Sequence, residues 1–145
     1  MSKTFGQFRQ SDPLITHFHI NEQSSLPTIY CDMDGVLCDF KKAISDLFNL
    51  KSKNPSEPGP MQMAGFSDPN EWFNEPNTRS KWQPIQDYKM FWPSMDWTSD
   101  GKQLWRFIQK FKPHILSAYS PYDKNCIRGK NLWIERNLKI SDKSK

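Results

Sequence analysis

The chain has 145 residues, of which 36% are apolar and 14% aromatic, enough for one compact domain with a modest, ring-rich core. Lys and Arg number 20 against 16 Asp and Glu, a formal charge of +4 that favours anionic ligands but does not make a protein that coats nucleic acid. No apolar run approaches the roughly 20 residues of a membrane helix, and the start MSKTFGQFRQ lacks the apolar stretch of a signal peptide.

The first 27 residues are polar, mixed and without a sustained period, which predicts a loose N-terminal extension. His17 and His19 lie there without a third metal ligand in reach and read as exposed polar residues. Order is expected to begin at Thr28. Ile29, Tyr30 and Cys31 lead into Asp32-Met33-Asp34-Gly35, a short buried strand ending in a turn. Phe40, Ala43, Ile44, Leu47 and Phe48 then recur at helical spacing, with Lys41, Lys42, Ser45 and Asp46 on the other face. Prolines and a glycine between Lys51 and Pro60 break that period. From there to Trp97 the chain is rich in Trp, Phe, Met and Pro, which predicts short helical turns joined by loops. A helix follows, capped by Thr98 or Ser99, with Leu104, Trp105, Ile108 and Phe111 facing inward and Pro113 stopping it. His114 to Ser117 reads as a second buried strand, and Ile127 to Leu138 as a helix with Ile127, Ile134 and Leu138 inward. Three cysteines with no CxxC pair argue against a disulfide scaffold and for a reducing, cytoplasmic setting.

Strand, helical insert, helix, strand, helix implies an α/β unit with parallel strands. In such sheets the chemistry gathers at the carboxyl ends of strands. Asp32 and Asp34 follow the first strand and Ser117 the second. Residues two apart in a strand share a face, so both carboxylates are expected to point one way. Held together they repel, and each then needs a cation or a proton. A solvated turn would also use Asp and Gly, but acids at the end of a buried strand are costly to place there. A calcium loop starting at Asp32 fails, because Leu37 and Ala43 stand where it needs glycine and glutamate. A carboxylate can attack phosphorus while a second carboxylic acid protonates the leaving oxygen and later activates water. Mg²⁺ and a lysine would offset the phosphate charge. Ser117 supplies a hydroxyl for a phosphate oxygen and Lys130 the cation, although a helix lysine is commonly solvated.

The stretch Ile29-Tyr-Cys-Asp32-Met-Asp34-Gly-Val-Leu-Cys-Asp-Phe40 resembles the first motif of the haloacid-dehalogenase-like (HAD) phosphohydrolase superfamily. It is especially similar to the 5'(3')-deoxyribonucleotidase branch and to small relatives encoded by tailed bacteriophages. Ile115-Leu-Ser117 resembles the second motif, and Asp100 to Trp105 and Gly129-Lys130-Asn-Leu-Trp133 resemble the same phage proteins. The resemblance covers Ile29 to about Leu138. It implies a HAD-like Rossmannoid parallel sheet, residues 28–145, with a small helical cap inserted at about 39–97. By position, Asp32 would be the nucleophile and a Mg²⁺ ligand. Asp34 would be the general acid and base, its main-chain carbonyl also reaching the metal. Ser117 and Lys130 would bind the phosphoryl group. Phe40, Phe91 and Trp92 are candidates to stack on a nucleobase in the substrate pocket, against the plainer alternative of core packing.

The family's fourth motif, an acidic residue or pair after a further strand, has no counterpart. Glu135 and Asp142 follow no hydrophobic strand, so the chain is expected to end before a third core strand. That departure implies weak Mg²⁺ affinity and an open sheet edge through which copies would pair. The leading expectation is a Mg²⁺-dependent phosphatase of a nucleotide-like monoester working through phosphoaspartate. The alternative is a catalytically weak relative that binds a phosphorylated ligand or a protein partner. A nucleic-acid-binding module, resting on charge and aromatics alone, ranks last.

Overall fold

The computed structural model describes residues 27–140. The loose extension, His17, His19 and Asp142 fall outside them, Pro27 of the extension excepted. Strand β1 (Tyr30–Asp32) is followed by helices α1 (Phe40–Phe48), α2 (Pro60–Met63), α3 (Pro69–Asn74), α4 (Arg79–Asp87) and α5 (Gly101–Ile108). A 3-10 turn (Gln109–Phe111), strand β2 (His114–Leu116) and helix α6 (Cys126–Leu138) complete the order. β1 and β2 pair in parallel, with Tyr30 opposite His114, Cys31 opposite Ile115 and Asp32 opposite Leu116. The chain is thus mixed helix and strand around a small parallel sheet, the α/β character that the element order implied.

The strands are less buried than expected. Tyr30 is 41% exposed and stacks on His114 with ring centroids 5.3 Å apart, and only Cys31 of β1 is buried. His114 is likewise exposed and Ile115 and Leu116 half-buried. The core lies instead among the turns and helices. Met33, Leu37, Cys38, Ile44 and Leu47 meet Met61, Trp72, Ile85, Cys126 and Trp133 there. The indole N–H groups inside it have acceptors: Trp72 donates to the Lys81 carbonyl at 3.0 Å and Trp133 to the Met95 carbonyl at 2.6 Å.

What leads out of β1 is a tight turn. The N–H groups of Leu37 and Cys38 return to the Met33 carbonyl at 2.9 and 3.1 Å, and Gly35 donates to the Cys38 carbonyl at 2.8 Å. Gly35 takes φ +78°, a left-handed conformation in which a Cβ is strained, which is why glycine follows Asp34. The segment before α5 holds this turn in place. Asp39 donates to the Asp96 carbonyl at 2.8 Å, Thr98 N–H to the Leu37 carbonyl at 2.9 Å, and Thr98 Oγ1 to the Val36 carbonyl at 2.6 Å. Thr98 therefore serves the turn, not the helix. α5 begins with Asp100 at its cap position and no side-chain cap, a correction to the expected Thr98 or Ser99 cap.

Of the helices, α1 has the expected inner face, and the Asp39 carboxylate caps it by accepting from Lys42 N–H at 2.9 Å. The Trp- and Pro-rich stretch forms the expected short helices α2, α3 and α4. α6 keeps Leu138 buried and Ile134 against the core as expected, but not Ile127. Ile127 is 55% exposed, and the residues turned inward are Cys126, Gly129, Lys130, Trp133 and Leu138. Gly129 allows the close approach: a Cβ there would lie 2.5 Å from the Trp92 Cβ. Among the described residues no helix is long and apolar enough to cross a membrane.

Candidate functional site

Three of the four expected polar residues meet beyond the carboxyl ends of the parallel strands. Asp34 is supplied by the turn after β1, Ser117 directly follows β2, and Lys130 lies on the second turn of α6. The Lys130 ammonium donates to Asp34 Oδ2 at 2.6 Å, to Ser117 Oγ at 2.7 Å and to the Ala118 carbonyl. Ser117 Oγ in turn donates to Asp34 Oδ2 at 3.2 Å. Lys130 is only 5% exposed, so the reading of a solvated helix lysine does not hold for it. Its Nζ also stands 4.9 Å from the centroid of the Trp92 ring.

Asp34 has a further neighbour that the motif did not announce. Cys38 Sγ lies 3.6 Å from Asp34 Oδ1 and 3.5 Å from the Met33 carbonyl. Burial pushes the Cys38 thiol well above its ordinary range, and the Asp34 charge adds to that effect. Cys31 and Cys126 are also buried free thiols shifted upward, chiefly by burial. Such thiols stay protonated and serve as packing groups rather than nucleophiles.

Asp32 stands apart. Its residue is exposed at the end of β1, and its carboxylate takes no part in the contacts among Asp34, Ser117 and Lys130. The expectation of two carboxylates facing alike assumed that the strand runs on to Asp34. β1 ends at Asp32 and Met33 turns fully inward, so the two acids occupy different surroundings.

A cavity of about 490 Å³ opens beside the polar cluster. Asp34 and Lys130 line it together with Asn77 and Ser120, and Phe40, Trp82, Trp92 and Tyr122 are among its aromatic walls. Trp92 runs nearly parallel to Phe40 (5.7 Å between centroids, 16°) and to Trp82 (6.3 Å, 17°). Two of the three aromatic candidates, Phe40 and Trp92, therefore line the cavity. Phe91 does not: it is buried behind them, edge-on to Phe40 at 5.8 Å and to Trp92 at 4.9 Å, and is core as the plainer alternative had it. Trp82 and Tyr122 were missed. Trp82 sits in a stretch without a readable period, and Tyr122 in a turn, where one sequence carries no signal of facing a cavity.

For a divalent ion the chain offers hard oxygen donors. The Asp32 carboxylate is outside the Lys130 network, and the Asp34 carbonyl is two residues away. Among the described residues no three His, Cys, Asp or Glu side chains converge. Mg²⁺ keeps several waters and is commonly held by one or two protein carboxylates, so this donor set fits a largely hydrated ion. No family model, no curated protein and no solved structure matches the chain.

Proposed function

We propose that the chain is a HAD-like, Mg²⁺-dependent phosphatase that hydrolyses a small phosphate monoester, a nucleotide, through an aspartyl phosphate on Asp32. One observation carries the reading. Asp34, Ser117 and Lys130, separated by 83 and 96 residues from the first to each of the others, converge at one end of a parallel sheet. Burying the Lys130 ammonium is costly unless it is paired, and here it is paired with a half-buried carboxylate and a hydroxyl at the sheet end. The adjoining cavity, lined by both the Asp34–Lys130 pair and flat aromatic rings, suits a phosphate joined to a planar group.

The steps follow from the groups present. An Asp32 carboxylate oxygen attacks phosphorus and forms an acyl phosphate, while the bond from phosphorus to the leaving oxygen breaks. The Asp34 carboxylic acid gives its proton to that oxygen, so the product departs as an alcohol. The Asp34 carboxylate then takes a proton from water as the water attacks the phosphoryl group, and inorganic phosphate and the free Asp32 carboxylate result. Lys130 and Ser117, which rest on Asp34 without substrate, turn their N–H and O–H donors to the phosphoryl oxygens. Mg²⁺, held by the Asp32 carboxylate and the Asp34 carbonyl, would screen the repulsion between the nucleophile and the phosphate. Residues 39–97 take the place of the family's cap and supply Trp82 and Trp92 to the cavity.

The test is phosphate release from a panel of nucleoside monophosphates with Mg²⁺. Replacing Asp32 by Asn is expected to lower turnover by roughly a thousandfold or more while the far-ultraviolet circular dichroism is retained. Turnover that survives in Asp32→Asn removes the mechanism. A second reading is supported by the exposed position of Asp32 outside the cluster: a binding module that seats a phosphorylated ligand or protein on Lys130 and Ser117 without hydrolysing it. Nucleotide binding without release in the same panel selects that reading.

A further inference from the structure

We infer that Asp123 is a positioning residue of this site, holding the Trp92 ring in the plane that seats Lys130 and walls the cavity. The inference rests on the reading of the Lys130 cluster as the place where a phosphate binds. Asp123 precedes α6 and is 3% exposed, although it carries a carboxylate. Its Oδ2 accepts from Trp92 Nε1 at 2.6 Å, and its Oδ1 accepts from the Asn125 N–H at 2.9 Å. Its main-chain carbonyl accepts from Cys126 N–H at 3.1 Å, so the carboxylate is tied to the start of the helix that carries Lys130. Asn125 Nδ2 donates to the Gln86 carbonyl of α4 at 2.9 Å, which ties the same corner to the helix bearing Trp82.

The second side-chain torsion of an indole is intrinsically broad, and Trp92 is buried between Phe40, Trp82 and α6. A short hydrogen bond to the ring edge fixes it. Burying a charge for that bond is expensive where a neutral acceptor would satisfy the same N–H. The charge-assisted bond is the stiffer one, and stiffness matters at Trp92 because two parts of the site lean on it. The Lys130 ammonium lies 4.9 Å from its centroid, and Phe40 and Trp82 stack nearly parallel to it along the cavity. Asp123 does not itself line the cavity and makes no hydrogen bond to Asp34, Ser117 or Lys130; it acts through the indole.

Two substitutions separate this role from plain packing. Asp123→Asn keeps one acceptor oxygen, enough for the indole or the Asn125 N–H but not for both. Asp123→Leu keeps the volume and removes both acceptors. The measurements, on the full chain, are the Trp92 indole N–H resonance, the Lys130 side-chain resonance, and KM and kcat for p-nitrophenyl phosphate with Mg²⁺. The expected order is wild type, then Asn, then Leu. For Asp123→Leu the Lys130 resonance shifts and KM rises roughly tenfold, while kcat changes less. An unmoved Lys130 resonance and an unchanged KM in folded Asp123→Leu overturn the role. If that variant does not fold, Asp123→Asn decides: a shifted Trp92 indole N–H resonance together with a raised KM supports the role, and an unmoved indole resonance with an unchanged KM overturns it. A wild-type chain that binds p-nitrophenyl phosphate without turnover defeats the phosphatase reading alone. The Lys130 resonance, which needs no turnover, then decides the role of Asp123.

Discussion

Cys38 lies between the Asp32-Met33-Asp34-Gly35 turn and the core. Its thiol is fully buried, leans on Asp34 Oδ1 and is held above its ordinary range by burial and by that carboxylate. Cys31 and Cys126 are shifted the same way. Below the ordinary thiol value of 9.0 all three are protonated whether the chain is folded or not, and they add no pH dependence. Above it the unfolded chain releases protons that the folded chain keeps, so stability falls as pH rises. Lys81 acts in the opposite sense. Its ammonium is buried against the Trp72 ring and donates to the Glu75 carbonyl at 2.7 Å, and desolvation lowers its pKa below the ordinary 10.5. Between that lowered value and 10.5 its deprotonation favours the folded state. Urea midpoints measured from pH 8 to 10 are expected to fall, and Cys38→Ala is expected to flatten that fall. An identical slope in the variant would mean that the Cys38 thiol does not carry the effect.

At the scale of elements, α6 matters most, because it brings Lys130 to the cluster only by lying close against Trp92. Gly129 sets that distance. Its added Cβ would meet the Trp92 Cβ at 2.5 Å, Trp92 Cγ at 3.1 Å and the Pro93 ring at 3.2 Å, none of them the free end of a flexible chain. Gly129→Ala would gain about 1 kcal/mol of helix propensity and lose roughly 1–3 kcal/mol to overpacking. The net expectation is a chain less stable by about 1 kcal/mol. Helix α6 is pushed outward, and under the proposed phosphatase activity KM rises. Equilibrium urea unfolding together with kinetics checks both, and a stabilised Gly129→Ala would mean that the helix sits further out. The same helix explains a misread face. Apolar counting selects Ile127, yet the inward residues are small or charged: Cys126, Gly129 and Lys130, followed by Trp133. A hydrophobic period cannot point to a lysine whose burial is offset by a carboxylate, a hydroxyl and a ring.

For the molecule as a whole, cohesion comes from rings and not from the sheet. Two strands of three residues make a marginal ladder, whereas Trp72 and Trp133 are both fully buried with their N–H groups satisfied. Trp133→Ala is expected to cost about 3–5 kcal/mol, a large share of the 5–15 kcal/mol typical of a domain. Thermal melting should show a broad, early transition or none, and a melt like that of wild type would contradict this account of the core. This balance also marks what the sequence could reveal. The Asp-Met-Asp-Gly turn was legible because an acid pair and a positive-φ glycine leave a local signature, and α1 and α5 because their apolar residues recur at helical spacing. The strands' exposure was not, since three apolar letters do not say what covers them. Nor were Trp82, whose ring is set by Phe40 and Trp92, and Asp123, whose carboxylate is set by Trp92 31 residues away; nor Tyr122, in a turn with no local signal.

The contact between Asp34 and Lys130 spans 96 residues of chain. Such a closure costs more entropy than any local turn and is met late, after the helices between have docked. The nascent chain therefore carries its acid turn without the matching cation until α6 has emerged and folded back. A chain in which α6 has not yet folded back lacks that ion pair and leaves Trp133 out of the core.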